Sequence, residues 1–122
     1  MAPSLYERIG GEAAIMAAVG VFYDKLMEDE TTRPFFEGLD MEAQARKQVA
    51  FMTWAFGGPG KYRGRDLRTA HGDLVGRGLS DIHFDAVVQH LKETLEELRV
   101  SPDLIEEALA IVNGTRSAVL NR

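Results

Sequence analysis

The chain has 122 residues, of which 45% are hydrophobic, and it carries a formal net charge of -5. This length is enough for one domain with its own core, and it excludes two domains. The acidic balance argues against nucleic acid or an anionic membrane as the main partner. Because the chain contains no cysteine, disulfides, thiolate metal sites and a cysteine nucleophile are excluded.

The N-terminal part of the chain predicts a short helix, a long helix and a corner. Ser4 can cap the short helix, which a pair of glycines ends because glycine releases the backbone from helical conformations. The long helix begins at Glu12 and ends in the acidic run Glu28 to Glu30, with apolar residues recurring at helical spacing. Residues 31–39 predict a corner, since Pro34 has no amide hydrogen to donate.

The stretch Met41 to Phe56 predicts a helix with polar side chains on a face that points inward. Asp40 is placed to cap this helix, and a glycine-rich run at residues 57–60 ends it. Four residues share the inward face at helical spacing: Gln44, Lys47, Gln48 and Phe51. A buried amide is costly unless it is hydrogen-bonded. The face therefore predicts a polar group or molecule that these side chains bind.

The remainder of the chain predicts three further helices. A shorter helix places His71 in the middle of its apolar stripe, and Ser80 caps the long helix that follows. Ser101 at the N-cap and Pro102 at the first helical position begin the last helix, which Gly114 kinks or shortens. No segment alternates apolar and polar residues for long enough to predict a strand. The expected fold is all-α, with four substantial helices and two short ones.

Three histidines are the candidate metal ligands. His71 lies on an apolar face, where a histidine is either a satisfied core residue or a ligand. His83 and His90 lie among polar sequence neighbours, so we expect them at the surface. The sequence lacks the HExxH and Glu-x-x-His patterns of zinc and di-iron sites, and its serines form no Ser/His/acid set. Hydrolase chemistry is therefore not supported.

These exclusions are compatible with a pocket that has His71 on one side and polar tips on the other. The polar tips belong to Tyr23, Gln44, Lys47 and Gln48. A haem requires such a set, because its iron takes a nitrogen ligand on one face and hydrogen-bond donors stabilise a diatomic ligand on the other. Each residue has a structural explanation of its own, so the combination carries the prediction.

Seven segments, in order, resemble the group 1 truncated haemoglobins over nearly the whole chain. They are LYERIGG at 5–11, FYDKL at 22–26, PFFEGLDM at 34–41, QARKQVAFMTWAFGG at 44–58, KYRGR at 61–65, RTAH at 68–71 and HFDAV at 83–87. The resemblance implies a truncated globin fold, a two-over-two α-helical sandwich formed by one domain over residues 1–122. It also implies a bound haem b.

The resemblance assigns roles to individual residues. It makes His71 the proximal iron ligand and Tyr23 the distal tyrosine. It makes Gln44 and Gln48 the residues that hydrogen-bond the ligand or the tyrosine, and Met52 a residue of an apolar ligand tunnel. Contacts with the haem are assigned to Phe36, Arg46, Phe51, Lys61, Leu74 and Phe84. The haem propionates have four candidate partners: Arg46, Lys61, Arg65 and Arg68.

Two departures from the family pattern concern how the haem is held. Lys47 stands where several cyanobacterial relatives carry an iron-ligating histidine, whereas some algal relatives carry lysine there and use its amine. Lys47 is therefore either a candidate distal iron ligand or a side chain that extends past the haem edge to solvent or a propionate. The segment Gly114–Ser117 lacks the histidine that attaches haem covalently in some relatives, so we expect non-covalent haem.

The function implied by the resemblance is reversible binding of O₂ and other diatomic ligands, NO and CO, in the cytoplasm. The alternative is a nitric oxide dioxygenase or a peroxidase-like detoxification of reactive nitrogen and oxygen species, which would use the same residues and an unidentified reductase. Two further alternatives are a haem-based gas or redox sensor and a helical bundle without a cofactor. No membrane partner is expected, since no apolar run approaches about 18 residues.

Overall fold

The computed structural model of the protein describes residues 3–59, 75–76 and 78–120. These ranges contain helices and no strand, as the sequence predicts: α1 (Leu5–Ile9), α2 (Gly11–Glu28), a 3₁₀ turn (Arg33–Phe35), α3 (Met41–Ala55), α4 (Asp81–Glu97), α5 (Pro102–Asn113) and α6 (Arg116–Val119). None of the helices in these ranges combines the length and apolarity that a membrane span requires. The predicted helix around His71 lies outside the described residues, and so do Lys61 and Leu74.

The helices begin where the sequence predicts. Ser4 and Asp40 accept hydrogen bonds from backbone amides in the first turns of α1 and α3, which typically stabilises a helix by about 1 kcal/mol. At the start of α4, the backbone N–H of Ser80 donates to His83 Nδ1 at 3.0 Å. Gly114 shortens the last predicted helix, because α5 ends at the residue before it and α6 is a separate short turn of helix.

The core lies between α2, α3, α4 and α5. Helix α2 contacts both α3 and α4, and α4 contacts α5. Four large apolar side chains of α2 are no more than 2% exposed: Ile15, Val19, Phe22 and Leu26. They recur every third or fourth residue, so one face of α2 is buried along its length. Full burial of such a side chain contributes about 1.5 to 3 kcal/mol of transfer free energy.

Helix α1 packs across the end of α3. The backbone N–H of Tyr6 donates to the carbonyl oxygen of Phe56 at 2.8 Å. The Tyr6 ring lies so close to Gly58 that a Cβ on this glycine would come within 2.6 Å of it. Gly57 has φ +84°, a left-handed conformation that glycine adopts without steric cost. The predicted end of α3 is therefore confirmed, and the residues at this end also contact α1.

His83 and His90 are half-buried, so the prediction that both lie at the surface is wrong. The His83 ring packs edge-on against Phe35, with ring centroids 4.8 Å apart. His90 lies 2.6 Å from Asp29 through Nε2 and 3.2 Å from Glu93 through Nδ1. The polar sequence neighbours misled the prediction, because Phe35 and Asp29 come from distant parts of the chain.

Candidate functional site

Tyr23 is at the centre of the candidate site. It points inward from α2 and is 7% exposed. Its hydroxyl lies 3.5 Å from the backbone carbonyl oxygen of Gln44 and 3.5 Å from Oε1 of Gln48, both on α3. These distances are long, since O–H···O hydrogen bonds in proteins are typically about 2.7 Å. The hydroxyl proton is therefore held only weakly by the protein itself.

The Tyr23 phenol is neutral over the physiological pH range. Burial raises the pKa of Tyr23 to about 12, and the hydrogen bond with Gln44 opposes part of this rise. The cause is desolvation, which disfavours the charged phenolate. A neutral phenol has one hydrogen to donate. Tyr23 is therefore a hydrogen-bond donor at any pH at which the protein is expected to work.

Helix α3 presents the Gln48 side chain and the Gln44 backbone carbonyl to this hydroxyl, whereas its lysine is exposed. Gln44 and Gln48 lie one helical turn apart and are half-buried, and Phe51 further along is buried. Lys47 is exposed, as is Arg46 before it. The prediction that Lys47 shares the inward face is therefore wrong. The inward face includes the glutamines and excludes the lysine, because burying an unpaired ammonium group is costly whereas an exposed one stays hydrated.

Aromatic rings complete the apolar part of the site. Phe36, at the end of the corner after α2, packs edge-on against Tyr23, with ring centroids 5.6 Å apart and ring planes at 75°. This contact places the predicted haem-packing ring beside the predicted distal tyrosine. Phe84 on α4 and Met52 on α3 are buried in the same core cluster. The described part of the chain thus brings together a phenol, two amides and apolar side chains.

Thr32 is a buried residue of this region that sequence reasoning missed. It is 2% exposed, and its hydroxyl donates to the carbonyl oxygen of Leu26 at 2.7 Å. The bond satisfies a carbonyl at the end of α2 and fixes the start of the corner that carries Phe36. A lone threonine outside a periodic segment gives no sequence signal, so only its position after a predicted helix end could have suggested this role.

The described half of the site has the chemistry of a hydrogen-bonding pocket. A neutral phenol and two amides donate and accept hydrogen bonds, but they provide neither a nucleophile nor a general base at neutral pH. Within residues 3–59, 75–76 and 78–120, no group of three or more histidine or carboxylate side chains is arranged to hold a metal ion. The predicted proximal residues His71, Lys61 and Leu74 lie outside these ranges.

Comparison with known proteins identifies the family. The family model described as bacterial-like globin matches residues 4–121. A group 1 truncated haemoglobin of Chlamydomonas moewusii is 48% identical over 118 residues, which cover 97% of this chain and 68% of that protein. The chain belongs to the group 1 truncated haemoglobins. Membership of this family implies haem-based ligand binding.

Solved structures share the fold of this truncated haemoglobin. The 2/2 haemoglobin of Synechococcus sp. PCC 7002, in the cyanomet state with covalently attached haem, has a TM-score of 0.93 and 50% identity, covering 98% of this chain and 100% of that one. The Fe(III) truncated haemoglobin of Tetrahymena pyriformis has a TM-score of 0.89 and 40% identity, covering 97% and 98%. The predicted all-α, two-over-two fold is confirmed.

Proposed function

We propose that this truncated haemoglobin holds haem b non-covalently and binds O₂ reversibly, with NO and CO as further ligands of the same pocket. The observation that carries the proposal is the buried, neutral phenol of Tyr23, whose hydroxyl lies 3.5 Å from both the Gln44 backbone carbonyl and the Gln48 side-chain amide of α3. When bound, haem supplies an iron that takes a diatomic ligand. Tyr23 donates the hydrogen bond that retains a polar ligand on its side of the pocket.

The described residues fit the distal half of a haem site. A buried hydroxyl whose protein partners are 3.5 Å away gains from a closer acceptor. Phe36 and Phe51 provide the flat apolar surface that a porphyrin requires. We propose His71 as the iron ligand on the other side of the haem, and Arg46, Lys61, Leu74 and Phe84 as further residues that contact the haem.

Gln48 is suited to orient the Tyr23 hydroxyl. A half-turn of the terminal amide exchanges its oxygen and nitrogen, so the same side chain either accepts from the hydroxyl or donates to it. When the amide donates, the hydroxyl hydrogen is free to point into the pocket. The backbone carbonyl of Gln44 keeps its position, because helix α3 holds it.

The C-terminal segment supports non-covalent attachment of the haem. Gly114–Ser117 contains no imidazole. The Thr115 hydroxyl donates to the carbonyl oxygen of Val112 at 2.6 Å, and Arg116 is paired with carboxylates of α4. These side chains are engaged within the protein and have no group that bonds covalently to a porphyrin under ordinary conditions.

Haem titration into the purified protein tests the proposal. We expect one haem per chain, a Soret band, and reversible O₂ binding after reduction. His71→Ala should lose the wild-type Soret spectrum, because the variant has no side chain to ligate iron at that position. His90→Ala is the matched control, since His90 is engaged with Asp29 and Glu93. An unchanged Soret spectrum in His71→Ala would show that the iron ligand is another residue.

A further inference from the structure

Arg116 fastens the C-terminal helix α6 to the first turn of α4. Its Nη1 donates to Asp81 at 2.8 Å, and its Nη2 donates to Asp85 at 2.6 Å and to Asn113 at 3.3 Å. The same guanidinium lies over the Phe84 ring, with Cζ 4.5 Å from the ring centroid. One arginine therefore contacts two carboxylates and the ring between them.

Helical spacing explains why these three partners meet. Asp81, Phe84 and Asp85 occupy positions i, i+3 and i+4 of α4, so they share one face of the helix. The planar guanidinium has donors on two edges and a face that suits an aromatic ring. Its hydrogen bonds to both carboxylates hold the guanidinium over the ring.

The ion pairs of Arg116 are exposed, whereas the ring that its guanidinium covers is buried. The Arg116, Asp81 and Asp85 side chains are 28%, 49% and 63% exposed, and ion pairs this exposed add little to stability. Phe84, in contrast, is 5% exposed. The exposed ion pairs thus hold a cation over one face of a buried aromatic side chain.

We propose that Arg116 is a positioning residue of the haem pocket, holding the Phe84 ring in the orientation in which its inner side contacts the cofactor. The inference rests on the haem-binding function proposed above. Where haem is held without a covalent link, its retention depends on how well the pocket walls are held in place. Arg116 contributes by preventing Phe84 from tilting outward.

Haem transfer to an excess of apomyoglobin measures this role in the ferric holoprotein. We expect Arg116→Ala to lose haem about 3- to 10-fold faster than wild type, the range that a cation–π contact of this kind supports. The rate of haem loss from Arg116→Lys should lie between those of wild type and Arg116→Ala, because lysine keeps the charge and lacks the planar guanidinium. Arg8→Ala is the matched control: Arg8 forms a similar two-bond ion pair with Glu107, between α1 and α5.

Two further measurements separate positioning from general destabilisation. In a Phe84→Leu background, Arg116→Ala should add no further increase in haem loss, because the ring it holds is gone. In the haem-loaded protein, Arg116→Ala should shift the Phe84 ring-proton resonances while the melting temperature falls by less than about 5 °C. Asp85→Asn, which removes one exposed partner, provides a milder variant if Arg116→Ala does not fold.

The outcomes are distinct. Faster haem loss that disappears in the Phe84→Leu background supports the inference. A wild-type rate of haem loss in Arg116→Ala overturns the inference; if only Asp85→Asn folds, a wild-type rate in that variant does so. The inference is also overturned if Arg116→Ala raises the rate as much in the Phe84→Leu background as in the wild type. A wild-type protein that takes up no haem overturns the proposed function together with the inference, whereas haem uptake with any of these failures overturns the inference alone.

Discussion

Tyr23 combines burial with a hydroxyl that its protein partners hold loosely. Removing the hydroxyl and keeping the ring, as in Tyr23→Phe, eliminates a hydrogen bond to a polarised ligand worth about 1.5 to 3 kcal/mol. We therefore expect O₂ to dissociate about 10- to 100-fold faster from the variant. Stopped-flow displacement of O₂ by CO in the haem-loaded protein measures this rate. Tyr6→Phe, which lies on α1, should behave as wild type.

The same rate has a predicted pH dependence. With a pKa of about 12, Tyr23 keeps its proton as the pH rises from 6 to 10 and loses it only as the pH passes 12. The ratio between the Tyr23→Phe and wild-type rates should therefore stay constant from pH 6 to pH 10. A ratio that collapses within this range would mean that another group, titrating at lower pH, donates the hydrogen bond.

At the residue scale, Lys47 is either a ligand of the haem iron or a side chain that contacts solvent or a propionate. It is exposed in the described structure, yet its four-carbon side chain is long enough to fold back over α3. Iron coordination requires a neutral amine, so ligation would strengthen as the pH rises and fail in acid. If Lys47 ligates, Lys47→Ala converts a pH-dependent low-spin ferric spectrum to a high-spin one, and Arg46→Ala does not. An optical spectrum that Lys47→Ala leaves unchanged at every pH assigns the lysine to solvent or a propionate.

At the scale of the elements, substituting alanine for a glycine should lower the free energy of unfolding at a turn position and raise it at a helical position. Gly58→Ala places a Cβ within 2.6 Å of the Tyr6 ring, so α1 must move away from the end of α3. We expect a loss of about 1 to 3 kcal/mol in the free energy of unfolding. Gly20→Ala, in the middle of α2 with nothing within 4 Å of the new Cβ, should gain about 0.5 to 1 kcal/mol.

Urea denaturation of the two variants checks this pair. A Gly58→Ala protein as stable as wild type would show that α1 is not seated on α3 as described. The substitution Tyr6→Ala should reduce the penalty of Gly58→Ala, because it removes the ring that the new methyl group meets.

The elements were more predictable than the contacts between them. The helix starts at Ser4 and Asp40 follow from side-chain caps, and the start after Ser101 follows from Pro102 at the first helical position; the sequence displays both signals directly. The pairing of Tyr23 with α3 followed from the shared polarity of two inward faces and from the family resemblance. The environment of His90 did not, because Asp29 is 61 residues away in sequence and no local pattern links the two.

At the scale of the whole molecule, ion pairs tie the end of α2 to α4. Asp29 pairs with His90 at 2.6 Å, and Lys25 pairs with Glu97 at 2.8 Å. The hydrogen bond from His90, followed by that from the backbone of Thr31, lowers the pKa of Asp29. A carboxyl group whose pKa is lower in the folded state stabilises the fold above its unfolded pKa, near about 3.9, and loses this contribution as the pH falls through the folded value.

Asp29→Asn should therefore destabilise the protein more at pH 6 than at pH 2. The pair is partly exposed, so we expect about 0.5 to 1 kcal/mol at pH 6, measured by urea denaturation at each pH. Asp24→Asn, an exposed aspartate of the same helix, should change stability by less than about 0.5 kcal/mol at both. A penalty for Asp29→Asn that is equal at pH 6 and pH 2 would rule out the charge of Asp29 as its cause.

The loosely held hydroxyl of Tyr23 also bears on which gases remain in the pocket. A hydroxyl that already donated a strong hydrogen bond within the protein would not discriminate between small ligands, and only their size would matter. A hydroxyl without such a bond would discriminate by the charge on the ligand. It would favour O₂, whose outer atom carries negative charge, over CO, whose outer atom carries little. On the proposed function, the two contacts of 3.5 Å would leave the hydroxyl available to a polar ligand, and a change in α3 that shortened them would weaken the preference for O₂ over CO.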